Sequence, residues 1–286
     1  MNARILEGKP LALTIKEEIK KEVQELTAKL CRKPVLAAVQ IGDNSAAEVY
    51  FKSQMKCAAE LGIEYRQHKI PQDINQDKFF AFIDSLNNDN SVSAIFIQMP
   101  LPRHIDYRLL PRHISPFKDA EGTHPENLGK LFFGKAGFIP CTANSVMELL
   151  KSTGENLYGK EAVIVGHSEI VGKPLSLLLL EQFATTTICH IATGERGLTA
   201  EHVKRAEVLI VAVGKANLIK GMWIKQGAIV IDVGINKVGD RIVGDVEFEE
   251  AAKRASWITP VPGGVGPLTV TMLMRNLVEA AKLQIH

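Results

Sequence analysis

The sequence predicts a two-domain α/β protein whose second half is a doubly wound parallel sheet, and three observations predict it. Apolar runs of strand length alternate with helical patterns through both halves. A stretch rich in proline, histidine and charge, Pro100 to Pro140, interrupts that alternation. A glycine turn, Gly166-His-Ser-Glu-Ile-Val-Gly172, follows the first apolar run of the second half and opens a helical pattern. The 286 residues are enough for two domains of ordinary size or one large α/β domain.

The elements follow in order. Leu11, Ile15, Ile19, Val23, Leu26 and Leu30 recur at steps of three and four, which makes an amphipathic helix. Val35 to Ile41 reads as a strand and Gly42-Asp43-Asn44 as a turn. Ser45 with Glu48 three positions on has the form of a capping box, opening a helix through about Leu61. A strand near Tyr65 to Ile70, a helix near Asp77 to Leu86 and a buried-looking strand from Ser93 to Met99 follow. Pro100 to Pro140 reads as loops with one short helix. Beyond it, Ala162 to Val165, Thr185 to His190, Val208 to Val213 and Ala228 to Gly234 are β-rich runs separated by helical stretches. Thr269 to Leu283 is a helix expected to pack back on the first domain. The expected domains are residues 1–139, with 269–286 returning to them, and residues 140–268.

Composition narrows the function classes. Hydrophobic content of 46%, charged content of 23% and a net charge of +2 describe a soluble globular protein. Lys and Arg are mixed with acids along the chain, without the basic stripe and aromatic platforms of a nucleic-acid binder. Cys31, Cys57, Cys141 and Cys189 are far apart and form no C-x-x-C, so neither a metal site nor a disulfide framework is indicated. The N-terminus lacks an apolar signal region, and the densest apolar run, Leu175 to Leu180, is too short to cross a membrane. A cytoplasmic protein, without metal, membrane or nucleic-acid partner, is the expectation.

Two motifs carry the chemistry. A strand, a glycine turn and a helix place phosphate oxygens against helix N–H groups and the positive end of the helix dipole, so Gly166 to Pro174 reads either as a dinucleotide turn or as a merely structural one, and the four strands around it favour the dinucleotide. Ser168 stands where the strict fingerprint has its second glycine. The end of the next strand, Cys189-His190-Ile191, lacks the carboxylate that would bind the ribose hydroxyl of NAD, and Glu195 lies further on beside Arg196. With His167 and Lys173 in the turn, NADP is favoured over NAD; each of these basic residues reads equally well as a solvated charge. The second motif is Thr259-Pro-Val-Pro-Gly-Gly-Val-Gly-Pro-Leu-Thr269, where prolines fix the backbone and glycines free it. It reads either as a rigid ligand-facing loop or as an ordinary turn. Taken alone, Tyr50 reads as a half-buried core residue, Gln98 as satisfying a local backbone group, Glu121 as a surface carboxylate and His124 as a structural hydrogen-bond partner.

Together, Gln98-Met-Pro-Leu-Pro102, Lys118-Asp119 with Gly122, His124, Asn127 and Gly129, Pro140-Cys-Thr142, the Gly166 to Pro174 turn and Pro262 to Thr269 resemble the methylenetetrahydrofolate dehydrogenase/cyclohydrolase family over essentially the whole chain. The resemblance implies a homodimer of two-domain subunits, with folate between an N-terminal α/β folate domain and a domain carrying NADP or NAD. It implies two reactions: hydride transfer from 5,10-methylenetetrahydrofolate to nicotinamide, then addition of water to the methenyl product to give 10-formyltetrahydrofolate. Neither needs a metal. By position, Tyr50 would flank the folate, Gln98 would hydrogen-bond near the reaction centre, and Pro262, Gly263 and Gly264 would wall the site. Gly166, His167, Ser168, Val171, Gly172, Ile191, Val213, Gly214, Ile235 and Thr269 would hold the dinucleotide.

The departures from the family pattern fall mostly on the folate side. The family's general-base lysine, four residues after the tyrosine, is Gln54, and its pterin-binding aspartate is Glu121. Residues four apart on a helix lie about 40° apart, so position 54 shares the face of Tyr50, while Lys52 and Lys56 lie roughly 200° and 240° round. Glutamine cannot take up and return a proton at neutral pH. The water-addition step should therefore suffer most, and hydride transfer, which depends on alignment, should survive. Ala143 and Ser145 replace a proline and a glycine of the family pattern, and His167 and Ile191 replace a frequent arginine and serine. Three readings follow: a dehydrogenase with weak or absent cyclohydrolase, a fully bifunctional enzyme, and a non-catalytic folate- or nucleotide-binding paralogue.

Overall fold

The computed structural model describes residues 3–43 and 45–285. The capping box expected at Ser45 lies outside the described side chains. In chain order the elements are β1 (Arg4–Ile5), α1 (Gly8–Leu30), β2 (Val35–Ile41), α2 (Ser45–Leu61), β3 (Glu64–Ile70), α3 (Gln76–Asn88), β4 (Ala94–Ile97), α4 (Leu110–His113), α5 (Pro125–Phe132), α6 (Cys141–Ser152) and β5 (Glu161–Val165). Then come α7 (Gly172–Leu180), β6 (Thr185–Cys189), α8 (Ile191–Glu195), α9 (Thr199–Arg205), β7 (Val208–Val211), β8 (Ile229–Asp232), β9 (Asn236–Val238), β10 (Arg241–Val243), α10 (Phe248–Ala252), β11 (Trp257–Ile258) and α11 (Gly266–Lys282). Among the described residues no helix is long and apolar enough to cross a membrane.

The chain divides into two compact units. One comprises Thr14–Cys141 with the residues from Val270 onward; the other comprises the residues through Leu13 with Thr142–Thr269. The first residues thus cluster with the second half rather than with the rest of 1–139, because β1 pairs in parallel with β11. A strand of two residues has no periodicity by which a sequence reading could find it.

In the first unit, three parallel strands lie in the order β3-β2-β4. The central β2 is buried along its whole length, which is why it reads as a continuous apolar run rather than an alternation. Helix α3 is capped by Asn75, whose Oδ1 accepts from the Lys78 N–H, and buries Phe79, Phe80, Ile83 and Leu86 against Ile95 and Ile97 of β4. Ile95 also forms a parallel bridge with Asp119, so the segment after Lys118 continues the sheet edge beyond β4. Helix α11 returns to this unit: Arg275 pairs with Glu18, and the Gln284 amide donates to the Ser93 carbonyl.

In the second unit, six parallel strands lie in the order β1-β11-β8-β7-β5-β6. The first strand of the half, β5, lies between the second, β6, and the third, β7, so the winding reverses at β5. Ligands of such sheets bind at the carboxyl ends beside that reversal. Val163, Val165, Leu209, Val211 and Val230 of these strands join Val203 and Ala251 of the helices in one core. The sequence reading lacks the short β11, the β9–β10 hairpin and helix α6, and it expects one short helix where α4 and α5 stand.

Candidate active site

In the first unit, the carboxyl ends of β2 and β4 and the segment after Asp119 emerge along one edge. Val39 pairs with Ile97, and Ile95 bridges Asp119. Gln98 directly follows β4; its backbone N–H donates to the Val39 carbonyl and its Nε2 to the Met99 carbonyl at 2.7 Å. The Gln98 Oε1 is buried without a hydrogen-bond partner among the described residues. A buried acceptor left open is costly unless water or a ligand fills it, which makes this edge a candidate binding place.

Glu121 stands two residues beyond Asp119, on a loop that Asp119 builds. The buried Asp119 carboxylate accepts from the backbone N–H of Gly122 and His124 and from the Asn127 amide. Asn276 of α11 holds the same loop from behind, donating to the carbonyls of Ala120 and Ile139. Burial, and then the charge of Asp119, push the Glu121 carboxyl up to about 8. His124 caps α5, its Nδ1 accepting from the Glu126 N–H, in the structural role expected of it. Lys118 donates to the carbonyls of Leu86, Asn87 and Asp89 and so closes α3.

Helix α2 carries the other two candidates. Gln54 is 4% exposed, on the face it shares with Phe51, Cys57, Ala58 and Leu61, whereas Tyr50 is 51% exposed. Lys52 and Lys56 lie on the exposed side, as the helical angles require. The Tyr65 hydroxyl of β3 donates to the Gln54 Oε1 at 2.8 Å. Tyr65 has no counterpart in the sequence reading, since an aromatic in a mostly polar edge strand carries no functional signal.

In the second unit the register aligns Val165 with Cys189 and Val211, and Val211 with Asp232. Gly166, Ile191, Val213, Gly214 and Ile235 therefore leave the sheet along one edge. At Gly166 φ is +127°, and an added Cβ would lie 2.3 Å from the Ala212 carbonyl oxygen. A Cβ on Gly172 would lie 2.0 Å from the Gly166 carbonyl oxygen, so only glycine lets helix α7 start this close to the turn. The Ser168 hydroxyl accepts from the Val171 N–H, and Lys173 pairs with Glu169. His167 and His190 sit edge to face at 5.5 Å, and His190 caps α8, which starts at the exposed Ile191.

Two carboxylates absent from the sequence reading organise this edge. Asp245 accepts from the N–H groups of Val213, Gly214 and Lys215 and from the Asn236 amide. Those N–H groups are thus engaged, and Val213 and Gly214 offer a ligand shape and carbonyls rather than donors. Asp232 accepts from the N–H groups of Gly234, Asp245 and Val246. A signal existed in the sequence, an aspartate closing an apolar strand and another in Gly244-Asp245-Val246, but it names no partner.

Pro262, Gly263 and Gly264 also belong to this unit. Gly263, at φ +116°, would meet only the Pro260 Cγ at 3.6 Å. Gly264 is different: a Cβ there would lie 2.7 Å from the Thr259 Cβ and 2.8 Å from the Pro260 oxygen. Packing inside the loop already requires a glycine there. The Gly8 N–H donates to the Gly263 carbonyl, tying the start of α1 to the loop. Thr269 lies in α11 with its hydroxyl turned back to the Val265 carbonyl, and Ala143 and Ser145 are buried in the first turns of α6.

With no carboxylate at the end of β6 and two imidazoles beside the turn, His167→Ala is expected to raise the KM for NADP several-fold and leave that for NAD unchanged. Initial rates with each cofactor check this; equal effects on both would remove His167 from phosphate recognition.

Comparison with known proteins identifies the family. The family described as tetrahydrofolate dehydrogenase/cyclohydrolase, catalytic domain, matches residues 6–121, and its NAD(P)-binding domain matches residues 140–285. The bifunctional protein FolD of Acetivibrio thermocellus is 49% identical over 285 residues, covering 99% of each chain. The crystal structure of the bifunctional FolD enzyme of Campylobacter jejuni superposes with a TM-score of 0.94 at 44% identity, covering 98% of this chain and 99% of that one. That of the Trypanosoma brucei enzyme, complexed with NADP cofactor and inhibitor, gives 0.94 at 36% identity, covering 100% and 99%.

Proposed function

The chain belongs to the tetrahydrofolate dehydrogenase/cyclohydrolase family, and from that premise we propose that it oxidises 5,10-methylenetetrahydrofolate with NADP and carries out the following hydration weakly or not at all. The observation that carries the second half is Gln54. It occupies the position of the family's lysine, is buried, and is bonded to a neutral phenol, while the nearest lysines of the helix, Lys52 and Lys56, lie on the exposed side. No group at this position can exchange a proton at neutral pH.

The cradle between Gly166 and Gly172, where any Cβ would strike backbone, and the absence of a carboxylate after β6 fit NADP. Bound there, the cofactor supplies a nicotinamide ring that accepts a hydride. The chain's own work is placement. In the first unit Tyr50 offers an exposed ring, Gln98 an unpaired acceptor and Glu121 a carboxyl for the pterin edge. The same reading carries a homodimer, which light scattering tests, and a cytoplasmic location.

The test is a two-step assay: methenyl formation from methylenetetrahydrofolate with NADP and with NAD, then methenyl loss against the uncatalysed rate. Hydration as fast as hydride transfer would overturn the cyclohydrolase half. The bifunctional alternative is favoured by the names of the relatives and by Glu121, whose carboxyl near 8 exchanges protons close to neutral pH. Tight folate binding without hydride transfer to either cofactor would favour the non-catalytic paralogue.

Glu121 also makes a pH prediction. Its folded value, about 8, lies above the ordinary 4.5, so its contribution to stability is present below 4.5 and is lost as pH rises through 8. Glu121→Gln should match the wild type in unfolding free energy near pH 4 and exceed it at pH 9, by about 2 kcal/mol after discounting for partial access to solvent. Recognition of a pterin edge by two N–H donors needs the ionised form, so the folate KM should fall from pH 6.5 to 8.5. A flat KM over that range would remove Glu121 from the folate site.

A further inference from the structure

We infer that Tyr65 is a positioning residue for the folate site: its hydroxyl pins the Gln54 amide by the oxygen, so that Nε2 faces away from β3 as a fixed, neutral hydrogen-bond donor. The inference rests on the folate-enzyme reading above and deepens it, since it gives the substituted position a chemical identity of its own.

The geometry is direct. The Tyr65 hydroxyl lies 2.8 Å from the Gln54 Oε1, while the Gln54 Nε2 makes no hydrogen bond to any described residue. Gln54 itself is buried. An amide is planar, with its oxygen and nitrogen on separate branches, so fixing one fixes the direction of the other. The tyrosine is well held in turn. It sits on β3 opposite Leu36 of β2, and its ring packs edge to face on the fully buried Phe51 at 6.4 Å. Burial raises the phenol well above its usual range, so it remains an O–H donor throughout the working pH.

The consequence concerns what the site can recognise. A glutamine free to flip would present its oxygen or its nitrogen to a ligand in turn. Held by Tyr65 it presents only the nitrogen, and so it suits an acceptor atom, a carbonyl oxygen or an unprotonated ring nitrogen of the pterin. Position 54 then keeps the donor character that an ammonium would have, without the charge and without a proton to exchange.

A double-mutant cycle tests this, with Tyr65→Phe and Gln54→Leu made singly and together. Tyr65→Phe keeps the ring and its packing on Phe51, so the fold should hold. It is expected to raise the KM for methylenetetrahydrofolate and the dissociation constant for tetrahydrofolate three- to tenfold, with a smaller effect on kcat. In the Gln54→Leu background the same substitution should change neither. An equal effect in both backgrounds would make Tyr65 merely structural, and no effect in the wild-type background would also overturn the inference. The binding arm keeps the two claims apart. Absence of turnover in the wild type sinks the dehydrogenase reading alone, because tetrahydrofolate binding still carries the cycle. A wild type that does not bind tetrahydrofolate overturns both.

Discussion

Gln54→Lys is expected to raise methenyltetrahydrofolate hydrolysis by about 10² or more and to leave hydride transfer within about tenfold of the wild type. Position 54 lies on the buried face of α2, and a lysine there would enter a desolvated site. Desolvation lowers an ammonium's pKa, which brings the amine toward the pH where it can both take and return a proton. The effect is selective because the two reactions make different demands. Hydration needs a proton removed from the attacking water, whereas hydride transfer needs the donor carbon and the nicotinamide held in line. Tyr65 would respond as well, its oxygen turning from donor to acceptor toward the new ammonium, so the gain should be larger when Tyr65→Phe is added. The decay of methenyl absorbance against the uncatalysed rate measures it. An unchanged decay in both variants would mean that position 54 is not where this chain handles the proton.

The strands most legible in the sequence are those buried on both faces. β2, β5, β7 and β8 lie inside parallel sheets, and their apolar runs mark them within about two residues at either end. β1 and β11 escape because two residues have no period and their pairing depends on residues over 250 positions apart. The glycine turn was legible as a whole, since a strand, a glycine and a helix are local. Gly264 shows what local reasoning leaves out: its glycine serves contacts with Thr259 and Pro260 within the loop, which the pattern of prolines and glycines does not name. Asp119 is legible only as part of a motif, and Asp232 and Asp245 only as charges near strand ends. What each does is set by backbone N–H groups brought to it by the fold, some of them about 30 residues away, and no spacing rule names those.

The buried Asp245 makes the largest stability prediction. It is 0% exposed and accepts four hydrogen bonds, at 2.7, 2.9, 2.8 and 2.8 Å, from the loop after β7 and from the first residue of β9, at the cofactor edge of the second unit. Asp245→Ala would leave the N–H groups of Val213, Gly214 and Lys215 without their acceptor, and bonds to a carboxylate are among the stronger ones. A loss of about 3–5 kcal/mol is expected by chemical denaturation, with a loss of dinucleotide binding at temperatures where the variant remains folded. Unchanged cofactor affinity in the folded variant would mean that the loops keep their shape without the carboxylate. The neighbouring Asp232 supplies a second readout. Burial pushes it up to about 6 against the pull of three N–H groups, and the Asp245 charge adds to the rise. Its folded value exceeds the ordinary 3.8, so its contribution is present below 3.8 and disappears as pH rises through 6. Without Asp245 that rise is smaller, and the fall in stability between pH 4 and pH 6 should be shallower in the variant than in the wild type. A general weakening of the fold would lower both ends of that window equally, so the slope separates the loss of a carboxylate pair from simple damage to the core.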